Sequence, residues 1–400
     1  MNKHLACLAL AFISGPFAVS LCAQEAPMPE QYEPPPPVGV DADFYAPPKN
    51  RIQIGMRMLS APKVAISGQG SISPLLGIGN PSDENVNRFY NDGTVLTDTR
   101  VDTSGNPLNP TDHATNTWSY QSSSQVTADQ KHVQMHSYNA DVDPTSQSGK
   151  GPSSAGIEFT FERETGWHWG KLQINWIVGL SLNDIRYART QETSGTITTT
   201  IDTYATLTTK DSVSPPTTDG TPTTVPPAPY SAPSTASDGT TDTTTLLEDK
   251  PDNSTQSQSP AAEGQLENQY KIHGAFFMMR FGPKLIMPLT SKFQASFSTG
   301  PALVYVGTTF TVNQRFTPAV GDPSTTTITG QKDDVLPAYF ADANLEYWLT
   351  DRTGFYFGGV YQTSTNYHHT VSDAASDSRY TSTVDLTGQQ GWHLGMDYKF

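Results

Sequence analysis

The sequence predicts an all-β protein: a transmembrane, antiparallel, up-and-down β-barrel of eight strands, with ten as the alternative, carrying short periplasmic turns and long extracellular loops. Three observations lead there. The 400-residue chain is 35% hydrophobic and only 16% charged, yet 10% aromatic. A soluble domain so poor in both aliphatics and charge has trouble filling a core, whereas a sheet whose apolar face looks outward needs only a thin belt. Apolar residues alternate with polar ones in eight segments, and long and short connections alternate between those segments. The formal net charge of -15 opposes nucleic-acid binding, because no basic stripe offsets phosphate repulsion.

The N-terminus has the order of a secretory signal. Lys3 and His4 lead into an apolar run from Leu5 to Leu21, followed by Cys22, Ala23 and Gln24, so residues 1–23 read as a signal peptide cleaved after Ala23. Acylation at Cys22 would call for a small residue where Leu21 stands. Both cysteines, Cys7 and Cys22, fall inside this segment, which suits passage through an oxidising compartment. Residues 24–50, with Glu33-Pro34-Pro35-Pro36-Pro37, read as an extended periplasmic linker. Residues 51–400 are then the barrel.

Period two defines the strands. In the first, Ile52, Ile54, Met56 and Met58 oppose Gln53, Gly55 and Arg57. Ile157, Phe159 and Phe161 alternate with Glu158, Thr160 and Glu162, and Leu172 to Leu182 alternate with Gln173 to Asn183. Ala275, Phe277, Met279 and Phe281 oppose Arg280 and Lys284, while Phe293, Ala295, Phe297, Leu303 and Tyr305 oppose Gln294, Ser296 and Ser298. Val335, Tyr339 and Ala341 to Tyr347 oppose Asp342, Asn344 and Glu346; Phe355, Phe357 and Tyr361 share one face; Trp392 to Phe400 alternate with His393 to Lys399.

Short links are expected at 165–170, 288–292 and 350–353, and long ones at about 67–153, 190–268, 317–332 and 372–379. Tight turns on one side and free loops on the other are what a barrel in an outer membrane permits. The 190–268 segment, dominated by Thr, Ser, Pro and Asp, reads as a mobile acidic loop. Asp92-Gly93 between apolar runs predicts a hairpin within the first loop, and its strands are what would raise the count to ten. Trp167, Trp169, Tyr347, Trp348, Phe355, Tyr398 and Phe400 are expected to ring the periplasmic interface, and Tyr187, Tyr270, Tyr305, Tyr361 and Tyr367 the outer one.

The polar face carries both signs: Arg57, Lys171, Arg280, Lys284 and Lys399 with Glu158, Glu162, Asp342, Glu346 and Asp397. Eight strands leave a lumen just wide enough for side chains, and unpaired buried charges cost several kcal/mol, so ion pairs are expected to plug it. A solvated channel for small solutes is the competing reading.

Gly391-Trp392-His393-Leu394-Gly395-Met396-Asp397-Tyr398-Lys399-Phe400 resembles the C-terminal strand of bacterial outer-membrane barrels, and Leu345 to Tyr356 resembles the strand-turn-strand unit of small barrels of the OmpA/OmpX type. The resemblance implies residence in the outer membrane of a Gram-negative envelope, with lipid and lipopolysaccharide as surroundings. It also implies that Trp392, Leu394, Met396, Tyr398 and Phe400 are read by the barrel-assembly machinery. Unlike in OmpA, no peptidoglycan-binding domain is expected after the barrel. The resemblance says nothing about activity; the expected role is structural or surface-interactive, with an extracellular ligand for the loops, rather than enzymatic.

Some barrels of this kind modify outer-leaflet lipid, for which His368, His369, Ser372 and Asp373 are the local candidates. Adjacent strand residues point to opposite faces, so only one of the two histidines could look outward. His132 and His136 lack a third ligand at convincing spacing, and no metal or cofactor motif is present. No catalytic residue is assigned.

Overall fold

The computed structural model describes residues 50–72, 77–102, 104–108, 112–209, 217–232, 234–235, 241–242, 245–260 and 264–400. The expected signal peptide and, except for Asn50, the expected linker lie outside these residues. Eight strands close one antiparallel barrel: β1 (Asn50–Leu59), β2 (Ser154–Trp169), β3 (Leu172–Glu192), β4 (Gly264–Pro288), β5 (Phe293–Pro318), β6 (Ser324–Trp348), β7 (Thr353–Ser364) and β8 (Gln389–Lys399). Each pairs with its neighbours in chain order, and β1 closes the ring by pairing with both β2 and β8.

Following residue partners around the ring shows how it closes. Val335 pairs with Tyr305, then Phe277, Leu182, Ile157, Met56, Leu394 and Phe357, and the path returns to β6 at Leu345. The step from 335 to 345 is a shear of ten residues. With ~3.3 Å rise and ~4.8 Å strand spacing, it tilts the strands by about 40°. Every residue on this path is apolar, and the other alternate positions continue the pattern: Ile54, Phe159, Val178, Leu180, Phe281, Phe297, Tyr339 and Met396 are all exposed on the outside.

Inside, a glycine pair makes room for an aromatic. Gly55 and Gly395 are cross-strand partners, and a Cβ on either would collide with the Tyr356 ring or hydroxyl. At the short-loop end the expected 165–170 link is mostly strand. β2 runs to Trp169 and turns only at Gly170-Lys171, where Gly170 supplies a φ of 64° that β-branched or bulky residues rarely adopt.

The largest departure from expectation lies at the other end. The long connections fold into sheets. One contains, in order, Tyr367–Asp373, Ser378–Asp385, Lys63–Ile72, His132–Lys150, Gly195–Thr209, Thr245–Glu248 and Ala114–Thr115, with Thr218–Pro222 and Asn253–Pro260 also on Gly195–Thr209. The segment expected to be a mobile loop therefore supplies a central strand, paired with His132–Lys150 from Gly195↔Val142 to Ala205↔His132. The physical reason is that Thr is β-branched: its hydroxyl reads as polar in a composition count, but its shape fits a pleated sheet. Ile197, Thr199 and Leu207 are buried on one side of that strand, and Asp202 and Tyr204 on the other. The 317–332 and 372–379 gaps are also shorter than expected, because β5 and β6 rise well beyond the ring's apolar belt and Ser378 follows a four-residue turn.

The expected hairpin forms as Arg88–Tyr90 and Gly93–Val95, but it joins Trp118–Tyr120 and Tyr230–Ala232 in a separate four-stranded sheet. The ring therefore stays at eight strands rather than ten, while the chain holds many more strands than the sequence reading counts. One apolar cluster runs from the inside of the ring (Phe276, Val304, Phe340, Val360) into the outer sheet (Val64, Ile66, Tyr367, Tyr380, Val384).

Glu248 in the outer sheet gives this region a pH dependence. Burial pushes its carboxyl up from 4.5 to about 7, with Asp252 and Asp249 adding to the effect and the Ala205 N–H opposing it. A raised acid pKa means the folded form holds its proton where the unfolded form has lost it. This contribution is complete below about pH 4.5 and is lost as pH rises to about 7. Urea unfolding of the outer sheet is expected to need more denaturant at pH 5 than at pH 8, and Glu248→Gln is expected to reduce the difference. An unchanged difference in the variant would refute the assignment.

Candidate functional site

Inward positions on five ring strands place ionisable side chains in two layers. On β2, β4, β6 and β8 these come as pairs four residues apart, which a strand puts on one face: Glu158 and Glu162, Arg280 and Lys284, Asp342 and Glu346, His393 and Asp397. β1 contributes Arg57 to the layer nearer the outer sheets and Arg51 to the layer nearer the short turns.

In the outer layer, Arg280 donates from Nη1 to Asp342 Oδ2 at 2.7 Å, and from Nη2 to Glu158 Oε2 at 3.2 Å and Thr160 Oγ1 at 2.9 Å. Glu158 also accepts from the Tyr356 hydroxyl at 2.8 Å, and lies 2.5 Å from His393 Nδ1 and 3.9 Å from Arg57 Nη1. Arg57 donates to Ser181 Oγ and Gln362 Oε1, both at 2.7 Å. The other His393 nitrogen meets Asn344.

In the inner layer, Lys284 Nζ bridges Glu162 Oε2 at 2.9 Å and Glu346 Oε1 at 2.8 Å. Arg51 reaches three carboxylates: Glu346, Asp397 Oδ1 at 3.1 Å and Glu162 Oε2 at 3.5 Å. Asn175 donates to Glu162 at 2.6 Å, and Ser296 to Glu346 at 2.7 Å. All ten ionisable members of the two layers are buried. Above them, Phe340 covers Arg280 with its ring centroid 5.6 Å from the guanidinium carbon, and the apolar cluster continues outward. Two layers of paired charge beneath an apolar stopper favour occlusion of this lumen.

Two expected members of the network stand elsewhere. Lys171 is exposed in the Gly170-Lys171 turn, because β2 is longer than its alternation suggested. Lys399 sits at the mouth with Nζ 4.0 Å from the Trp348 ring centroid, and so contacts an aromatic face rather than a carboxylate. The sequence reading omits Arg51, Tyr356 and His393. Parity would have found them: Arg51 shares a face with Arg57, and His393 with Asp397.

The residues of the terminal motif, Trp392, Leu394, Met396, Tyr398 and Phe400, are exposed on the outside of β8 and just beyond it. Phe400 exchanges backbone hydrogen bonds with Asn50, so the end of the chain fastens the seam. Of the expected interfacial aromatics, Trp167, Trp169, Phe355, Tyr361, Tyr398 and Phe400 are exposed and Tyr305 and Tyr347 partly so. Trp348, Tyr187, Tyr270 and Tyr367 instead point inward and are buried, since they occupy the opposite parity. His369 is buried against Thr308 while His368 is exposed beside Thr383, and Asp373 accepts from Ser376 rather than meeting either histidine. His132 and His136 each lie beside an aspartate, Asp129 at 3.0 Å and Asp92 at 2.5 Å. Among the described residues, no group of three or more His, Cys, Asp or Glu side chains has metal-holding geometry.

No family model matches the chain, and no curated protein matches it. Among solved structures, the outer membrane protease OmpT of Escherichia coli aligns over 88% of this chain and 97% of its own at 9% identity, with a TM-score of 0.23. The siderophore receptor PirA of Acinetobacter baumannii aligns over 88% and 80% at 9% identity, with a TM-score of 0.07. Superpositions this loose carry no argument about the present fold or function.

Proposed function

We propose that the chain is an integral outer-membrane barrel with a structural or surface-interacting role, its lumen closed by ion pairs and its outer sheets presented outside the cell. The supporting observation is the belt. Its outward residues on β6 run from Val335 to Tyr347, which at ~3.3 Å per residue and about 40° tilt spans roughly 30 Å, the thickness of a bilayer's hydrocarbon core. A soluble monomer rarely exposes more than a few hundred Å² of contiguous apolar surface, and this belt encircles the ring. A closed sheet also satisfies its own backbone groups, as hydrocarbon demands. In this reading, lipid and lipopolysaccharide surround the belt, the assembly machinery reads the terminal strand, and an extracellular ligand meets the outer sheets.

The test is folding into detergent followed by planar-bilayer recording. The expected results are an SDS-resistant form that shifts mobility on boiling, and no sustained conductance. Ohmic steps would replace occlusion with a small-solute channel. A chain that stays monomeric in water without detergent would defeat the membrane reading itself.

A further inference from the structure

The ring's outer rim carries a cluster of basic groups on one side of an otherwise acidic chain. Pairing across β3 and β4 sets the levels: Leu182 faces Phe277 at the edge of the apolar belt, Asp184 faces Ala275, Arg186 faces His273, and Ala188 faces Lys271. The exposed members of these pairs, Arg186, His273 and Lys271, continue the outward parity of Leu182 and Phe281. Arg186 lies four residues beyond Leu182, about 10 Å above the belt at the ~3.3 Å rise and about 40° tilt. Gly151 rests on the Arg186 backbone carbonyl, which brings its neighbour Lys150, also exposed, to the same quadrant.

The cluster is not neutralised by its surroundings. Asp184 binds only Nε of Arg186, at 2.9 Å, and its other oxygen takes the Ala155 N–H at 2.9 Å. Among the described residues, the Arg186 terminal nitrogens have no protein partner, and Lys271 and Lys150 form no ion pair. On the neighbouring strand the same levels carry Thr309 and Thr311, hydroxyls that donate and bring no opposing charge. In a protein of formal charge -15, free cations just beyond a lipid-facing belt are placed for an anion held at membrane level. Long basic side chains keep their stems on apolar surface and their heads in the headgroup layer.

We propose that Arg186, Lys271, His273 and Lys150 form a docking site for the phosphate groups of an outer-leaflet lipid headgroup. The site rests on the membrane reading above. A guanidinium meets phosphate through two parallel donors, and the ammonium groups add charge around it.

The experiment uses the full chain folded in detergent and records the temperature at which the compact gel form is lost. Phosphorylated lipid A is expected to raise that temperature by several degrees, and phosphate-free lipid A of the same acylation to leave it nearly unchanged. The Arg186→Ser/Lys271→Ser variant should lose the difference between the two lipids. Should that variant fail to fold, the wild type still decides, because the phosphate-dependent shift must shrink as salt is raised from 50 to 500 mM. Equal shifts with both lipids, a salt-independent shift, or a variant that retains the difference would overturn the proposal. The same shift from inorganic phosphate alone would also overturn it, by assigning the site to a free anion. A chain that needs detergent yet ignores lipid phosphate refutes this site and leaves the membrane reading standing, whereas a chain soluble without detergent refutes the membrane reading first.

Discussion

Arg280→Ala is expected to destabilise the folded barrel by about 3–5 kcal/mol. Arg280 is the cation beside Asp342, which is buried at 3% exposure, and it is one of two guanidiniums serving Glu158. Truncation strands the buried Asp342 carboxylate without its cation, while Glu158 keeps Arg57, Tyr356 and His393. The asymmetry is the test. Arg280→Met/Asp342→Leu removes both charges and fills their space, so it should recover most of the loss, because an apolar replacement of a buried pair is often neutral. Urea titration in detergent micelles, read by gel mobility, measures both. A single variant as stable as wild type, or a double variant no better than the single, would show that the pair contributes little and that water reaches the lumen.

Tyr380→Ala is expected to cost about 3–5 kcal/mol, but in the outer sheet rather than in the eight-stranded ring. Tyr380 is fully buried, its ring stands edge-on to Tyr270 at 6.0 Å, and its hydroxyl accepts from Gln314 at 3.0 Å and Asn268 at 3.4 Å. It thus ties Ser378–Asp385 to the rising parts of β4 and β5. Hydrogen exchange along Gly195–Thr209 and Lys63–Ile72 should accelerate, while the slow exchange of β1 and β8 and the heat-modifiable mobility persist, since local openings follow cooperative units. Tyr380→Phe keeps the ring and loses the hydroxyl, and should cost about 1 kcal/mol. Equal acceleration throughout the ring would mean that barrel and outer sheets unfold as one body.

Much of the ring is legible in the sequence because a two-sided sheet writes itself in parity. Every strand boundary near a short turn falls within a few residues of its alternation, and the eight lumen charges on β1, β2, β4, β6 and β8 announce themselves by opposing an apolar neighbour. The misplacements have the same origin. Lys171 has the parity of the inward face of β3, but it stands in the turn before that strand begins. Trp348 and Tyr187 look interfacial by residue type, but their parity is inward and they are buried.

The outer sheets are a different case. Nothing local in Gly195–Thr209 says that it pairs with a strand 60 residues earlier, or that Lys63–Ile72 lies beside both His132–Lys150 and Ser378–Asp385. Its buried positions are held by Thr199 and Thr206 as well as by Ile197, Tyr204 and Leu207, so the pattern fades into a polar background, and its partners are set by long-range pairing. The convergence of Glu162, Glu346 and Asp397 on Arg51 is of the same kind: parity puts each of the four inward, but only the ten-residue shear of the closed ring decides which of them share a level.

By itself, then, the sequence determined the parity of the ring strands and the presence of opposite charges inside, and narrowed the strand count to eight or ten. Those follow from the two-residue repeat of an extended chain, which is a local property. The tertiary structure alone decided the stagger that pairs those charges, and the folding of the long connections into sheets. Both depend on contacts between residues far apart in the chain, whose free energy is gained only when the ring closes and its interior is filled.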